Sequence, residues 1–334
     1  MKHVHNIVRT GGIVFAMTLV GSPAAWSGVD CRLNTGISEK QERAGLCKFD
    51  VQKKSFEGSP IQQATCLTRE VKRVGKIGDE TITPFLKSIV GKTAPATPSV
   101  RTLLNAQNIS AKDIGGPIDK SISANYFIIH DTSTPNCSDP GPVDGCQVQG
   151  ELPKNRDDAS WLFNSTFGGH PRPAPKRAAH AMTNRVGASI TEGDFAESIP
   201  TTKFETCIDK SAKTKLFVGV ENIQPRIGDP KIPSPGEEAN DRDAPIPGFT
   251  EKQYERLALL YLVASARRGQ WMVPAFHGVI DNFYENGHDD PQNFDMAAFS
   301  AAVQRHAQAI NTAASAPKLS GLTVQTRNIG ATNE

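Results

Sequence analysis

The chain lacks the sequence signatures of several common enzyme classes. Its 334 residues contain no G-x-G-x-x-G sequence and no P-loop, which argues against a nucleotide-dependent enzyme. They contain no G-x-S-x-G elbow, which argues against a serine hydrolase of that type. None of the six cysteines lies in a C-x-x-C pair, so a zinc ion bound by cysteines is not expected.

The N-terminus predicts a secretory signal peptide over residues 1–27. Lys2 and Arg9 supply positive charge, residues 12–21 form a short apolar core, and residues 22–27 offer small side chains for cleavage. The core is shorter than the roughly 20 apolar residues that a membrane-spanning helix needs. A buried N-terminal helix is the alternative, but the order of basic, apolar and small residues favours the signal peptide.

The chain also lacks an excess of charge of either sign. It has 37 Lys and Arg residues against 35 Asp and Glu residues, and the predicted signal peptide holds two of the bases and no acid. The mature chain is therefore formally neutral. Because a nucleic-acid partner normally demands a basic face, no such partner is expected.

The even number of cysteines fits an exported protein in the periplasm or the medium. Six cysteines in an oxidising compartment predict up to three disulfide bonds, with 15 possible pairings. The pair most easily closed is Cys137 with Cys146, because both lie in one loop rich in Pro, Gly and Asp.

Changes in pattern divide the mature chain into three parts. Residues 28–120 are predicted to form a mostly helical extension, residues 121–314 the main domain, and residues 315–334 a flexible tail. Helix starts are predicted in the extension at Ser59-Pro60, Thr83-Pro84 and Pro98, where Pro suits the first helical turn.

The main domain alternates strand and helix patterns, which predicts an α/β fold with a mixed central β-sheet flanked by helices. Thr250 and Gln253 form a capping box for one helix, and Asp295 can cap a second. Strands are predicted at 126–129, 181–184 with 188–191 as a hairpin, 216–220, and 271–276, where Pro274 indicates an edge strand or an early end.

Three residues supply a sensible ligand set for a metal ion. His130 ends the first apolar strand, His277 follows the last one, and Asp290 precedes a proline. A hydrolytic zinc takes three protein ligands of this kind and keeps a fourth position for water. Taken singly, a histidine at a strand end and a carboxylate in a turn are also common structural residues, so the joint pattern carries the prediction.

Four segments of the main domain carry a resemblance to a known family: Ile128–Ser133, His180–Gly187, Leu216–Asn222 and Asp290–Asp295. In this order they resemble the zinc-dependent N-acetylmuramoyl-L-alanine amidases of the type-2 amidase superfamily, which includes amidase-type phage lysozymes and the peptidoglycan recognition proteins. The resemblance covers roughly residues 124–312. It implies an amidase-like fold, a zinc ion on His130, His277 and Asp290, and cleavage of the amide between N-acetylmuramic acid and L-alanine.

The resemblance also suggests roles for residues around the zinc site. Glu221 ends the third segment where the family has a glutamate, so it is expected to act as the general base. The family often has lysine two residues before the ligand carboxylate, and this chain has His288 there. His288 is either a donor to the oxyanion or a solvated loop residue. His180 is expected to be structural or substrate-facing and not a ligand.

Two further departures concern the loop that ends in Asp290. The family's usual glycine after the proline is Gln292 here, and His277 lies 13 residues before Asp290, slightly more than the family's common spacing. A surface-loop insertion over Asp281–Gly287 would explain the longer interval.

The sequence thus predicts an exported zinc amidase acting on peptidoglycan or on soluble muropeptides. The alternatives are a peptidoglycan-binding protein without catalysis on the same fold, and a secreted antibacterial effector with the same chemistry. Loss of a zinc ligand would mark the first alternative, and all three ligands are present.

Overall fold

The computed structural model describes residues 47–50, 52–72, 76–133, 179–208, 215–224, 244–282, 284 and 287–315. The predicted signal peptide, the cysteine pair of residues 137 and 146, and the predicted tail after Ser315 lie outside these ranges. None of the helices in these ranges has both the length and the apolar composition of a membrane-spanning segment.

The described part of the N-terminal extension forms three short α-helices, a 3-10 helix at Ala111–Asp113 and two small β-ribbons. Ser59 and Thr83 accept hydrogen bonds from the backbone amides of Gln62 and Leu86, which confirms the first two predicted helix starts. The ribbons were not expected from the sequence. The elements are β1 Phe49–Asp50, β2 Ser55–Phe56, α1 Pro60–Leu67, β3 Arg69–Lys72, β4 Lys76–Glu80, α2 Pro84–Ile89 and α3 Thr97–Ala106.

Five strands form the central sheet, and the predicted α/β class with a mixed sheet is confirmed. The strands are β5 Tyr126–Asp131, β6 Ala181–Thr183, β7 Ser189–Thr191, β8 Phe217–Asn222 and β9 Val273–Phe276. Their order is β7-β6-β8-β5-β9; the last four named are parallel to one another, and β7 runs antiparallel to β6 as the predicted hairpin. β9 is an edge strand, as Pro274 indicated.

The remaining helices are α4 Lys203–Ile208, α5 Glu251–Arg268, α6 His277–Asp281 and α7 Met296–Ser315. The capping box of Thr250 and Gln253 begins α5, and Gly269 ends it with a φ of 83°. Such a left-handed backbone costs little only for glycine. Asp295 accepts hydrogen bonds from the amides of Ala297 and Ala298 and so caps α7.

The N-terminal ribbon β3–β4 supports the loop that carries Asp290. Val71 of β3 is buried and forms a parallel β-bridge with Gln292. The amide of Gly278 in α6 donates to the carbonyl of Asp290 at 2.7 Å. A Cβ atom on Gly278 would lie only 2.8 Å from the side chain of Val71, so only glycine fits this close approach. The loop is therefore held between α6 and the N-terminal ribbon.

Candidate metal centre

The predicted ligands meet where the parallel strands of the sheet end. His130 is the penultimate residue of β5, and His277 follows directly after β9. Asp290 comes from the loop before α7 and is brought to the same edge. In open α/β sheets, functional sites are typically found outside the carboxyl ends of the strands.

The ligand atoms of His130, His277 and Asp290 lie within 4.8 Å of one another. The Nδ1 atom of His277 is 2.9 Å from the Nδ1 atom of His130 and 2.9 Å from Oδ1 of Asp290. The Nδ1 atom of His130 is 3.7 Å from Oδ2 of Asp290. All three residues are buried. This group can hold a metal ion.

The donor set and its spacing fit a small divalent ion. In a tetrahedral zinc site with ligands near 2.1 Å, neighbouring donor atoms lie about 3.4 Å apart. The three observed distances lie on both sides of that value. Imidazole and carboxylate together suit zinc but also other first-row metals, so the donor set supports a metal without choosing one.

Burial and the neighbouring charges shift the pKa of each of the three residues. Burial lowers the pKa of His277, but the carboxylates of Asp290 and Asp281 outweigh burial and hold this pKa well above its usual value. Burial raises the pKa of Asp290, and the positive His277 more than reverses this, so the carboxyl stays ionised. Burial and the charge of His277 lower the pKa of His130 to about 3, so His130 is neutral. A divalent ion bound at Nδ1 of His277 can replace the proton on that atom, which faces Asp290.

Asp281 corrects one expectation from the sequence. The interval Asp281–Gly287 was predicted to be a surface insertion, but Asp281 ends α6 and is fully buried. Its Oδ2 atom is 2.8 Å from Nε2 of His277, on the opposite side of the ring from Asp290. The available signal was the spacing of four residues between His277 and Asp281, which places both side chains on one face of a helix.

The side chain of Gln292 makes a contact that glycine could not make. The side chain is 3% exposed, and its Oε1 atom accepts a hydrogen bond from the amide of Ala244. The carbonyl of Gln292 accepts from the side chain of Gln224. The side chain of Gln292 therefore links the segment at Ala244 to the loop of Asp290 by a hydrogen bond that glycine could not form.

Glu221 and His288 both lie beside the ligand group. Glu221 pairs with His130 in the register of β5 and β8, so the two side chains project from the same face of the sheet. The ring centroids of His288 and His277 are 4.7 Å apart, and Nδ1 of His288 is 3.8 Å from Oδ1 of Asp290. The His288 side chain is 39% exposed, which places it at the rim of the site. The partial burial of the ring and the positive His277 lower the pKa of His288.

His180 lies outside the ligand group and is fully buried. Its Nδ1 atom accepts a hydrogen bond from the amide of Gly219, and Nε2 lies 3.4 Å from the carbonyl of Glu197. This residue joins β6 to β8 and to the following loop. Of the two roles expected for His180, the structural one fits its burial.

The burial of His180 predicts a pH dependence of stability. Burial lowers the pKa of His180 to about 4, whereas the unfolded chain binds a proton near 6.5. The unfolded state therefore gains protons first as the pH falls from 6.5 towards 4, and the folded state loses up to about 3 kcal/mol of stability over that window. His180→Gln should remove this contribution and flatten the decline. Urea unfolding with a chelator present, at pH 7.5 and pH 4.5, measures it. Equal declines in both proteins would contradict the assignment.

Comparisons with known proteins add no relative: no family model, no curated protein and no solved structure significantly matches the chain.

Proposed function

We propose that the protein is a zinc-dependent hydrolase that cleaves the amide between the lactyl group of N-acetylmuramic acid and L-alanine in peptidoglycan. The observation that carries this proposal is the buried group of His130, His277 and Asp290 at the ends of the parallel strands. The choice of zinc and of the substrate rests on the resemblance in sequence to the type-2 amidases.

His130, His277 and Asp290 would hold the zinc ion, which would act as a Lewis acid on the scissile carbonyl and lower the pKa of a water molecule to about 7. Glu221 is proposed to take a proton from the water as the water oxygen attacks the carbonyl carbon. The same carboxyl group returns a proton to the L-alanine nitrogen as the carbon–nitrogen bond breaks. The pairing of Glu221 with His130 on adjacent strands supports this role.

His288 is proposed to donate a hydrogen bond to the carbonyl oxygen as that oxygen gains negative charge. Its position at the rim, with a partly exposed ring next to His277, supports contact with a substrate. A residue that acts in this way contributes to the transition state and little to the binding of the metal.

Export is part of the proposal. Cys47 and Cys66 form a disulfide bond between the start of the first ribbon and α1, and Cys207 is also disulfide-bonded. No cysteine is free among the residues that the structure describes. Oxidised cysteines fit a periplasmic or secreted location, in agreement with the predicted signal peptide.

Digestion of purified peptidoglycan tests the function. The zinc-loaded protein should release peptides that begin with free L-alanine and leave glycan strands with unsubstituted lactyl groups, both detectable by mass spectrometry. Cleavage of glycan or of peptide–peptide bonds would contradict the proposal. Binding to peptidoglycan without any release would favour the non-catalytic alternative.

The role of His288 gives a further prediction. His288→Ala should lower kcat with little change in the dissociation constant of zinc, because the donor acts only where charge develops. His288→Lys should restore part of the loss. Steady-state kinetics on a soluble muropeptide, together with a chelator competition for zinc, measure both. Wild-type kcat in His288→Ala would identify the residue as a loop residue without a catalytic role.

A further inference from the structure

We propose that Asp281, held by the backbone amides of Lys203 and Phe204, is the positioning residue that fixes His277 for metal binding. The inference deepens the proposed function and rests on its metal centre, but not on the identity of the substrate.

The contacts of Asp281 fix the orientation of its carboxylate. Its Oδ2 atom accepts from the amide of Lys203 at 2.9 Å and lies 2.8 Å from Nε2 of His277. Its Oδ1 atom accepts from the amide of Phe204 at 3.0 Å. The side chain is fully buried, so these groups, and no solvent, determine its orientation.

This arrangement selects the tautomer of His277 that a metal needs. Backbone amides can only donate, so both carboxylate oxygens of Asp281 act as acceptors, and Nε2 of His277 must carry the hydrogen. The lone pair of a neutral His277 then lies on Nδ1, the atom that faces His130 and Asp290. Partners that orient a ligating imidazole in this way typically change metal affinity by 10–100-fold when removed.

Asp281 also balances charge in a buried place. Asp290 and Asp281 contact His277 from opposite sides, and together they carry the two negative charges that match a divalent cation. Without Asp281, one positive charge of the bound ion would lack this compensation, and uncompensated buried charge is costly.

The element that holds Asp281 is distant in sequence. Lys203 and Phe204 begin α4, and the amide of Glu205 donates to the side chain of Thr202, which marks Thr202 as the N-cap. Glu205 in α4 is also a buried carboxylate, but its Oε2 atom accepts hydrogen bonds from the amide and the hydroxyl of Thr201. It therefore offers a control that disturbs α4 without changing a contact of His277.

The first test compares Asp281→Asn with Glu205→Gln. An asparagine has the same shape, but its side-chain NH2 group must face the backbone N–H of either Phe204 or Lys203. Neither N–H group can accept a hydrogen bond. Competition with a chelator should show zinc binding 10–100-fold weaker for Asp281→Asn and unchanged for Glu205→Gln. Nitrogen-15 shifts of the His277 ring should show a proton on Nε2 in the zinc-loaded wild-type protein and a mixture in the Asn variant.

A second pair of variants keeps the test valid if Asp281→Asn does not fold. Lys203→Pro removes one amide donor from Asp281, and proline is tolerated at the first position of a helix. Lys203→Ala keeps that amide. Zinc affinity should fall in Lys203→Pro, by less than in Asp281→Asn, and stay at the wild-type value in Lys203→Ala.

The outcomes separate this inference from the proposed function. Unchanged zinc affinity in Asp281→Asn, or an equal loss in Glu205→Gln, would overturn the positioning role. A wild-type protein that binds no zinc would overturn both proposals. Zinc binding with the expected pattern, but no cleavage of peptidoglycan, would overturn only the amidase function and leave the role of Asp281 in place.

Discussion

His277→Ala is expected to lose the bound zinc and all measurable hydrolysis, and to destabilise the metal-free protein as well. The variant removes one of three ligands, and it also leaves Asp281 and Asp290 without the cation that lies between them. Breaking a buried ion pair on one side typically costs about 3–5 kcal/mol. Metal analysis by mass spectrometry and urea unfolding of the chelated protein measure the two effects.

His130→Ala separates the two effects of His277→Ala. It should lose zinc and activity to the same extent as His277→Ala. The chelated protein should lose less stability, because His130 is neutral and its removal leaves no aspartate without a positive partner. His180→Gln alters a buried histidine outside the group and should keep one zinc per chain. Full zinc content in both alanine variants would show that the metal binds elsewhere.

Glu221→Gln is expected to keep zinc and to lower turnover by about 10²–10⁴-fold, the range typical for loss of a general base. Glutamine preserves the size of the side chain on β8, so the sheet and the ligands should be undisturbed. The loss should appear in kcat, and it should persist at saturating substrate, because the proton transfer belongs to the chemical step. Kinetics on a soluble muropeptide and metal analysis of the same sample measure both quantities.

Glu205→Gln is the matched control for this loss, because Glu205 is buried but contacts Thr201 at the start of α4. It should keep wild-type turnover. Full activity in Glu221→Gln would assign the proton transfer to another group. Loss of zinc in that variant would instead give Glu221 a structural role at the metal centre.

The parts of the fold that the sequence predicted are those with local signals. Thr250 and Gln253 form the capping box that begins α5, and Gly269 ends the helix in a left-handed backbone conformation. The hairpin around Gly187 and the edge position of β9 followed from turn chemistry and from Pro274. The ligand group could be predicted because each residue lies at or just beyond the end of an apolar strand, or before a proline in a recognisable segment.

The parts that the sequence did not predict depend on contacts between distant segments. The carboxylate of Asp281 is held by amides 77 and 78 residues away, and nothing near Asp281 in the sequence encodes that contact. The ribbon β3–β4 has polar residues around a single buried Val71, so its alternation is too weak to indicate a strand. Its contact with Gln292 likewise arises only in the fold.

Return of zinc to the metal-free protein tests the central claim most directly, because it joins the metal centre to the hydrolysis. The chelated protein should release no L-alanyl peptides from peptidoglycan. Added zinc should restore the rate in proportion until one equivalent is bound, and further zinc should add nothing. A rate that survives chelation, or one that fails to return when one equivalent of zinc is bound, would contradict the account.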